Sequence, residues 1–235
     1  MKKNFDKKLN YKKKWTFSGN VAQSFDGHIK KSVPMFEEFH WLTREYAKYF
    51  IKDDSYIYDI GCATGKFINN LSKDFGNKKT KFIGIDIEKN MIKFAKKNYQ
   101  NKNLKFFNSD ILKYNFKKTD LFISLFTIQF IHQKNRQLII KKMYDSLNWG
   151  GAILIAEKVR SFDARTQDMS NQIYNDWKRK NGFDSDQILN KTASLAGVMD
   201  PFSTNGNLKL FKRAGFKDIA TVAKYICFEL FLLIK

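Results

Sequence analysis

The chain has 235 residues, 43% of them hydrophobic and 16% aromatic with Phe dominant, which suffices for the core of one domain. No apolar run of about 18 residues exists to span a membrane, and Cys62, Cys227, His28, His40 and His132 are too scattered for a zinc-type metal site or a disulfide framework. The formal charge of +20 is carried mostly by Lys and has two readings. One is a polyanionic partner such as RNA, bound through counterion release. The other, favoured by the even spread of lysine, is a solvated coat in a Lys-, Asn-, Ile- and Phe-rich chain with only two prolines, Pro34 and Pro201.

Residues 1–14 read as a basic, poorly ordered arm. They lack the apolar segment of a secretory signal, so a cytoplasmic protein is expected. Between residues 15 and 50 the apolar positions Phe36, Phe39, Trp41, Leu42, Tyr46 and Phe50 keep helical spacing. One or two helices are expected there, with Pro34 near the start of the second. From Tyr56 the pattern becomes short apolar strands at 56–60, 82–87, 104–108, 121–126 and 152–157, alternating with amphipathic helices at 66–75, 90–99 and 136–147. Such a rhythm predicts parallel strands with right-handed crossovers covering both sheet faces. Helical periodicity returns at 164–180, 184–196 and 208–214, and 219–234 reads as a closing hairpin. Residues 15–235 are therefore expected to form one α/β domain, a Rossmann-like, mostly parallel seven-stranded sheet with a helical insertion before its last strands.

The first strand runs into Asp59-Ile60-Gly61-Cys62-Ala63-Thr64-Gly65. Glycine removes the Cβ where the chain turns sharply and lets a ligand approach the backbone, while the amides opening the next helix can receive a carboxylate. Asp59 is placed to attract an ammonium group. About 20 residues on, the second strand ends at Asp86, where a carboxylate can accept hydrogen bonds from two ribose hydroxyls. The third strand leads to Asp110-Ile111, where a carboxylate and a backbone amide can read an adenine edge. A lone Gly-rich turn is commonly structural and a lone strand-end Asp is commonly a helix cap. Three in order at carboxyl ends of strands point to S-adenosylmethionine (SAM). The spacing differs from GxGxxG, whose turn must hold a pyrophosphate.

These motifs resemble the class I SAM-dependent methyltransferases and, more closely, the carboxy-S-adenosylmethionine synthase family, whose product is used in tRNA wobble-uridine modification. The resemblance runs through Trp15-Thr16-Phe17, Val21-Ala22 and Phe25, then Lys31-Ser32-Val33-Pro34 and Tyr58-Asp59-Ile60-Gly61-Cys62. It continues in Phe126-Thr127-Ile128-Gln129-Phe130, Glu157-Lys158, residues 177–183, Leu195 to Met199 and residues 212–216. Carried over, the family's SAM contacts fall on Gly61, Cys62, Ala63, Asp86, Ile87, Asp110 and Ile111, with Asp59 and Gly65 added from the turn. Three positions depart from the family pattern: Phe36 replaces a tyrosine, Leu125 an asparagine, and Thr192 the arginine after Lys191 that the family implies for gripping the carboxylate of carboxy-SAM. A guanidinium holds a carboxylate bidentately, as Thr or a neighbouring Lys does not. Loss of one such bond, worth roughly 1.5–3 kcal/mol, weakens a ligand about ten- to a hundredfold.

The resemblance and its departures together imply a SAM-dependent methyltransferase with an unidentified acceptor. Alternatives are a diverged synthase that makes carboxy-SAM from SAM and prephenate, and a non-catalytic SAM-binding protein. Phe36 and Leu125 are expected at the cofactor site. Arg160, Thr192 and Glu157 are candidate catalytic residues, with a surface charge as the competing reading of Arg160. His132, Tyr174 and Trp177 are candidates for an acceptor pocket, although helix-spaced aromatics are more often core. Cys62 reads as a packing residue. The motifs of the common DNA methyltransferases are missing, which leaves RNA open as an acceptor beside a small molecule. A homodimer is implied by the resemblance.

Overall fold

The structure, a computed structural model, describes residues 15–17, 21–76 and 79–235. The basic arm expected at residues 1–14 lies outside the described residues. Two helices precede the sheet, α1 (Ala22–Ser32) and α2 (Phe36–Ala47). Pro34 stands in the corner between them and Met35 takes a left-handed φ of 56° at the cap of α2. The alternating unit follows: β1 (Tyr56–Ile60), α3 (Lys66–Asp74), β2 (Lys81–Asp86), α4 (Lys89–Asn98), β3 (Leu104–Asn108), β4 (Thr119–Leu125), α5 (Gln133–Ser146) and β5 (Leu147–Lys158). Three helices come next, α6 (Ala164–Lys180), α7 (Ser185–Leu195) and α8 (Thr204–Ala214), before the hairpin of β6 (Asp218–Tyr225) and β7 (Phe228–Ile234).

The seven strands form one sheet in the order β3-β2-β1-β4-β5-β7-β6. All neighbours pair in parallel except β7, which runs antiparallel to both β5 and β6. The central strands are continuous apolar runs because both faces are covered. Ile57, Phe82, Leu121 and Leu154 pack beneath one face with Ile68 and Leu71 of α3, while Tyr58, Phe122, Ile153 and Phe231 pack beneath the other with Ile139, Met143 and Phe211.

Element ends differ from the expectations where caps, not periodicity, decide. α5 begins three residues early because the His132 side chain accepts from the Lys134 amide at 3.3 Å. α8 begins at Thr204, not 208, because Ser203 accepts from the Gly206 amide at 3.1 Å. β2 ends at Asp86, leaving Ile87 66% exposed, since the Asp86 carboxylate turns back to bond the Glu88 amide at 2.8 Å. β5 starts at Leu147, five residues before the apolar run at 152, because Leu147 already pairs with Thr119. Among the described residues, no helix is long and apolar enough to cross a membrane.

Two glycines separate packing from propensity. A Cβ on Gly84 in β2 would stand 2.7 Å from the Phe106 ring and 2.9 Å from the Cys62 sulfur, whereas one on Gly27 in α1 would meet nothing within 4 Å. Gly84→Ala should lower unfolding free energy by about 1–3 kcal/mol through overpacking. Gly27→Ala should raise it by about 0.5–1 kcal/mol through helix propensity. Urea denaturation of both variants checks the pair, and equal effects of one sign would contradict this packing.

Candidate functional site

The carboxyl ends of β1, β2, β4 and β5 open on one cavity of about 420 Å³, within the usual range for small-molecule sites. A groove of about 640 Å³ over α4 and β3, bordered by Lys96, Lys102 and Lys105, shares no residue with it and lies open to solvent. The turn after β1 forms the floor of the cavity. Gly61 (φ 71°), Ala63 (φ 46°) and Gly65 (φ 77°) all take left-handed backbone, which costs glycine little and a non-glycine residue about 1–2 kcal/mol. The Gly61 and Cys62 amides tie the turn to the Ile85 carbonyl at 2.8 and 3.1 Å, and the Gly65 amide closes it on the Cys62 carbonyl at 2.8 Å. A side chain at Gly61 would collide with Thr127. Cys62 is buried between the turn and Gly84, and burial raises its thiol well above the usual range, so it packs and is no nucleophile.

Asp59, at the end of β1, lines the cavity while only 3% exposed. Among the described residues its carboxylate has neither a hydrogen-bond nor an ion-pair partner. Burial, with a smaller push from Asp86, raises its pKa to about 8. An uncompensated buried carboxylate of this kind suits a cationic ligand group. Asp86 is anchored differently. Its two oxygens accept the Ala63 and Glu88 amides at 2.8 Å each, and each oxygen keeps a second lone pair. Asp110 lines the cavity beyond Asp86 while its carboxylate caps the next turn through the Leu112 amide at 2.9 Å. Asp110 therefore caps a turn and faces the cavity at once.

Phe36, Asp59, Gly61, Cys62, Ala63, Asp86, Ile87, Asp110, Ile111 and Leu125 all line the cavity. Gly65 does not: it caps α3 behind the turn, where a Cβ would lie 2.5 Å from Phe106. The three candidate catalytic residues also stand outside. Thr192 faces away on α7, its hydroxyl bonded back to the Ile188 carbonyl at 2.8 Å, and the neighbouring Lys191 takes the inward position. Arg160 is exposed beyond β5, bridged through its backbone to Phe202 and Ser203. Glu157 is buried under the segment that follows β4. Of the aromatic candidates Tyr174 lines the cavity, while His132 is exposed and Trp177 stacks behind Tyr174 at 6.4 Å.

Glu157 has a definite task. Its two carboxylate oxygens accept the Ile128 and Gln129 amides at 2.9 and 2.7 Å. Burial outweighs these bonds and raises its pKa to about 8. Arg136 takes the carbonyls of the same 3₁₀ turn (Ile128–Phe130 and its exit), Ile131 at 2.8 Å and Gln129 at 3.0 Å. Gln129 in turn accepts the Lys158 amide at 2.8 Å. The Phe126–Phe130 motif is thus a clamped loop that sets the wall of the cavity.

Sequence reasoning missed the far wall. Trp15, Phe17, Phe25 and His28 line the cavity from the N-terminal segment and α1, and Lys158 and Lys191 bring cations to it. Lys191 meets Ser32 Oγ at 2.8 Å and lies 5.1 Å over the Trp15 ring. The motif Trp15-Thr16-Phe17 carried a signal, aromatics at the edge of a basic arm, but nothing local tells which element they fold against. The His40 ring lies tilted against that of Phe36, 4.1 Å between centres, and burial lowers its pKa to about 4.

Residues 57–151 match the family described as a methyltransferase domain. The chain is 32% identical to a carboxy-S-adenosyl-L-methionine synthase of Staphylococcus epidermidis over 90% of its own length and 92% of the relative's. It is 34% identical to a carboxy-S-adenosyl-L-methionine synthase of Nautilia profundicola over 95% of each chain. Its fold is similar to that of a TehB-like SAM-dependent methyltransferase from Corynebacterium glutamicum, with a TM-score of 0.58 at 14% identity, covering 92% of this chain and 96% of that one.

The buried carboxyls make a pH dependence. Asp59 and Glu157 have folded pKa values near 8, above the ordinary values of 3.8 and 4.5, so the folded state holds protons that the unfolded state releases. Their contribution is fully present at low pH and is lost as pH rises through about 8. His40 opposes them only below its ordinary 6.5. The ligand-free protein should therefore lose thermal stability between pH 6.5 and 8, and Asp59→Asn should flatten that fall. Calorimetry across this window checks it, and a rising melting temperature would contradict the assignment.

Proposed function

The chain belongs to the carboxy-S-adenosyl-L-methionine synthase family, and on that premise we propose that its cavity holds SAM and that it transfers the methyl group of SAM to a small-molecule acceptor. The observation that carries this reading is the buried carboxylate of Asp59, without a partner among the described residues, beside a left-handed glycine turn. The ammonium of SAM pairs with Asp59, its carboxylate meets the amides that open α3, and its ribose hydroxyls donate to the free lone pairs of Asp86. Asp110 and the amide of Ile111 face the adenine edge. The strand order supports this arrangement: β3, β2, β1 and β4 meet adenine, ribose, methionine and sulfonium in turn, which leaves the ends of β5 and β7 for the second substrate.

When bound, SAM supplies an already activated methyl group. The protein's share is in-line placement and exclusion of water. Two of the three departures from the family pattern, Phe36 and Leu125, put apolar groups on the cavity wall beside Phe126. Such a wall accommodates a methyl sulfonium and offers no hydrogen bond to a carboxylated one.

A second reading, synthesis of carboxy-SAM from SAM and prephenate for tRNA modification, is favoured by the name of the full-length relatives and by the cations Lys158 and Lys191 in the cavity. Mass spectrometry of products after incubation with SAM, with and without prephenate, separates the two. S-adenosylhomocysteine without a carboxylated product is expected, and carboxy-SAM made in proportion to prephenate would replace the first reading with the second.

Asp59→Asn removes the partner of the ammonium and should weaken SAM about ten- to a hundredfold by calorimetric titration. Unchanged affinity would show that the ammonium lies elsewhere.

A further inference from the structure

We propose that Lys158 and Lys178 form a subsite that binds a compact oxyanion of the second substrate, a carboxylate or a phosphate, at the β5–β7 end of the cavity. This subsite rests on the reading of a SAM-dependent transferase, and it names the class of molecule that the transferase acts with.

Lys158 closes β5 and lines the cavity, with its ammonium 4.7 Å from the centre of the Tyr174 ring. Lys178, one turn beyond Tyr174 on α6, places its own ammonium 4.4 Å from the same ring. Lys178 is only 8% exposed, yet among the described residues neither ammonium has a hydrogen-bond or ion-pair partner. The ring they share is fixed, because the Tyr174 hydroxyl donates to the Ser32 carbonyl at 2.5 Å and the ring packs edge-on to Phe228 at 5.5 Å.

Other lysines of this chain show what such a group does when it only fills space. Lys235 lies 4.7 Å over Tyr144 but also donates to the Tyr144 and Leu147 carbonyls at 2.9 Å each. Lys142 lies 5.5 Å over Phe116 and donates to the Leu112 carbonyl at 2.9 Å. Lys158 and Lys178 have the ring and, among the described residues, no acceptor. Contact with a π face does not replace the hydrogen bonds an ammonium loses on burial. Two such groups on one ring also repel: burial first, then Lys158, lowers the pKa of Lys178 to about 8, and burial lowers that of Lys158. The nearby Cys227 thiol is itself pushed up by burial and supplies no counter-charge at neutral pH. An oxyanion entering from the cavity meets Lys158 on its wall, with Lys178 on the same ring behind that wall adding its charge, and stands beyond the sulfonium position, opposite the adenine end.

The test is calorimetric titration of the full chain, loaded with S-adenosylhomocysteine, using prephenate, malonate and inorganic phosphate as separate probes. At least one probe is expected to bind wild type saturably and to lose about ten- to a hundredfold in affinity in both Lys158→Met and Lys178→Met. Affinity for S-adenosylhomocysteine should stay within about twofold in both variants, by the same arithmetic. Preference for prephenate and malonate identifies a carboxylate, and preference for phosphate identifies a phosphate ester. Should either variant fail to fold, the lysine Nζ resonances of wild type are followed instead, with two of them expected to shift on addition of the probe. No saturable binding to wild type, equal binding by the Met variants, or a parallel loss of S-adenosylhomocysteine would each overturn the subsite. If S-adenosylhomocysteine does not bind wild type at all, the proposed function fails first and separately.

Discussion

The cavity depends on how one buried carboxylate, Glu157, holds the loop that follows β4. Parallel strands deliver their ends to one edge of the sheet, but the chain leaving each end must be fixed by something other than the ladder. Glu157 accepts two consecutive amides from that loop, and Arg136 takes two of its carbonyls. With both strands and loop set, Phe126 and Thr127 are held against the glycine turn, where Gly61 has no room for a Cβ because Thr127 occupies the space. Removing one partner of such a buried network strands the others without solvent. The family motifs around Phe126 and Glu157 are therefore one device seen in two places.

The fold was legible because it is written in local signals. Apolar runs of strand length, helical periodicity between them and a glycine turn at the first crossover identify a doubly covered parallel sheet wherever they occur in that order. The floor of the cavity was legible for the same reason, since Asp59, Asp86 and Asp110 each sit at a fixed distance from a strand end. The opposite wall was not. Trp15, Lys158 and Lys191 reach it from the N-terminal segment, β5 and α7, with Lys178 of α6 behind it, and in the sequence they look like any other lysine or aromatic. Thr192 illustrates the limit. Its identity stood out by comparison, but which of two neighbouring helical positions faces inward is decided by packing, and Lys191 takes that position.

The charge of the chain has a similar structure. A total of +20 says little about any one lysine. Most lie on solvated faces, and pairs such as Lys48–Glu45 at the surface contribute little. The two beside Tyr174 differ from these in burial and in lacking an acceptor, and no count of charge reveals them. On the opposite side of the cavity Asp59 is their counterpart, a buried carboxyl that has no cationic partner among the described residues and that burial keeps protonated up to about pH 8. The cavity thus sets a carboxyl that suits a cation at one end and lysines that suit an anion at the other, a polarity that matches a zwitterionic or mixed ligand set.

The wall that closes the cavity joins residues far apart along the chain. Tyr174 reaches Ser32 across 142 positions, and Lys191 reaches Ser32 across 159. Contacts of that span form last, because the entropy of closing so long a segment must be met before they return any enthalpy. During synthesis α1 can meet α2 and α4 early, but Ser32 must remain without Tyr174 and Lys191 until α6 and α7 have left the ribosome. A chain stopped after β5 can build the central parallel strands and the glycine turn, but it has no closed chamber in which to shield a reaction from water.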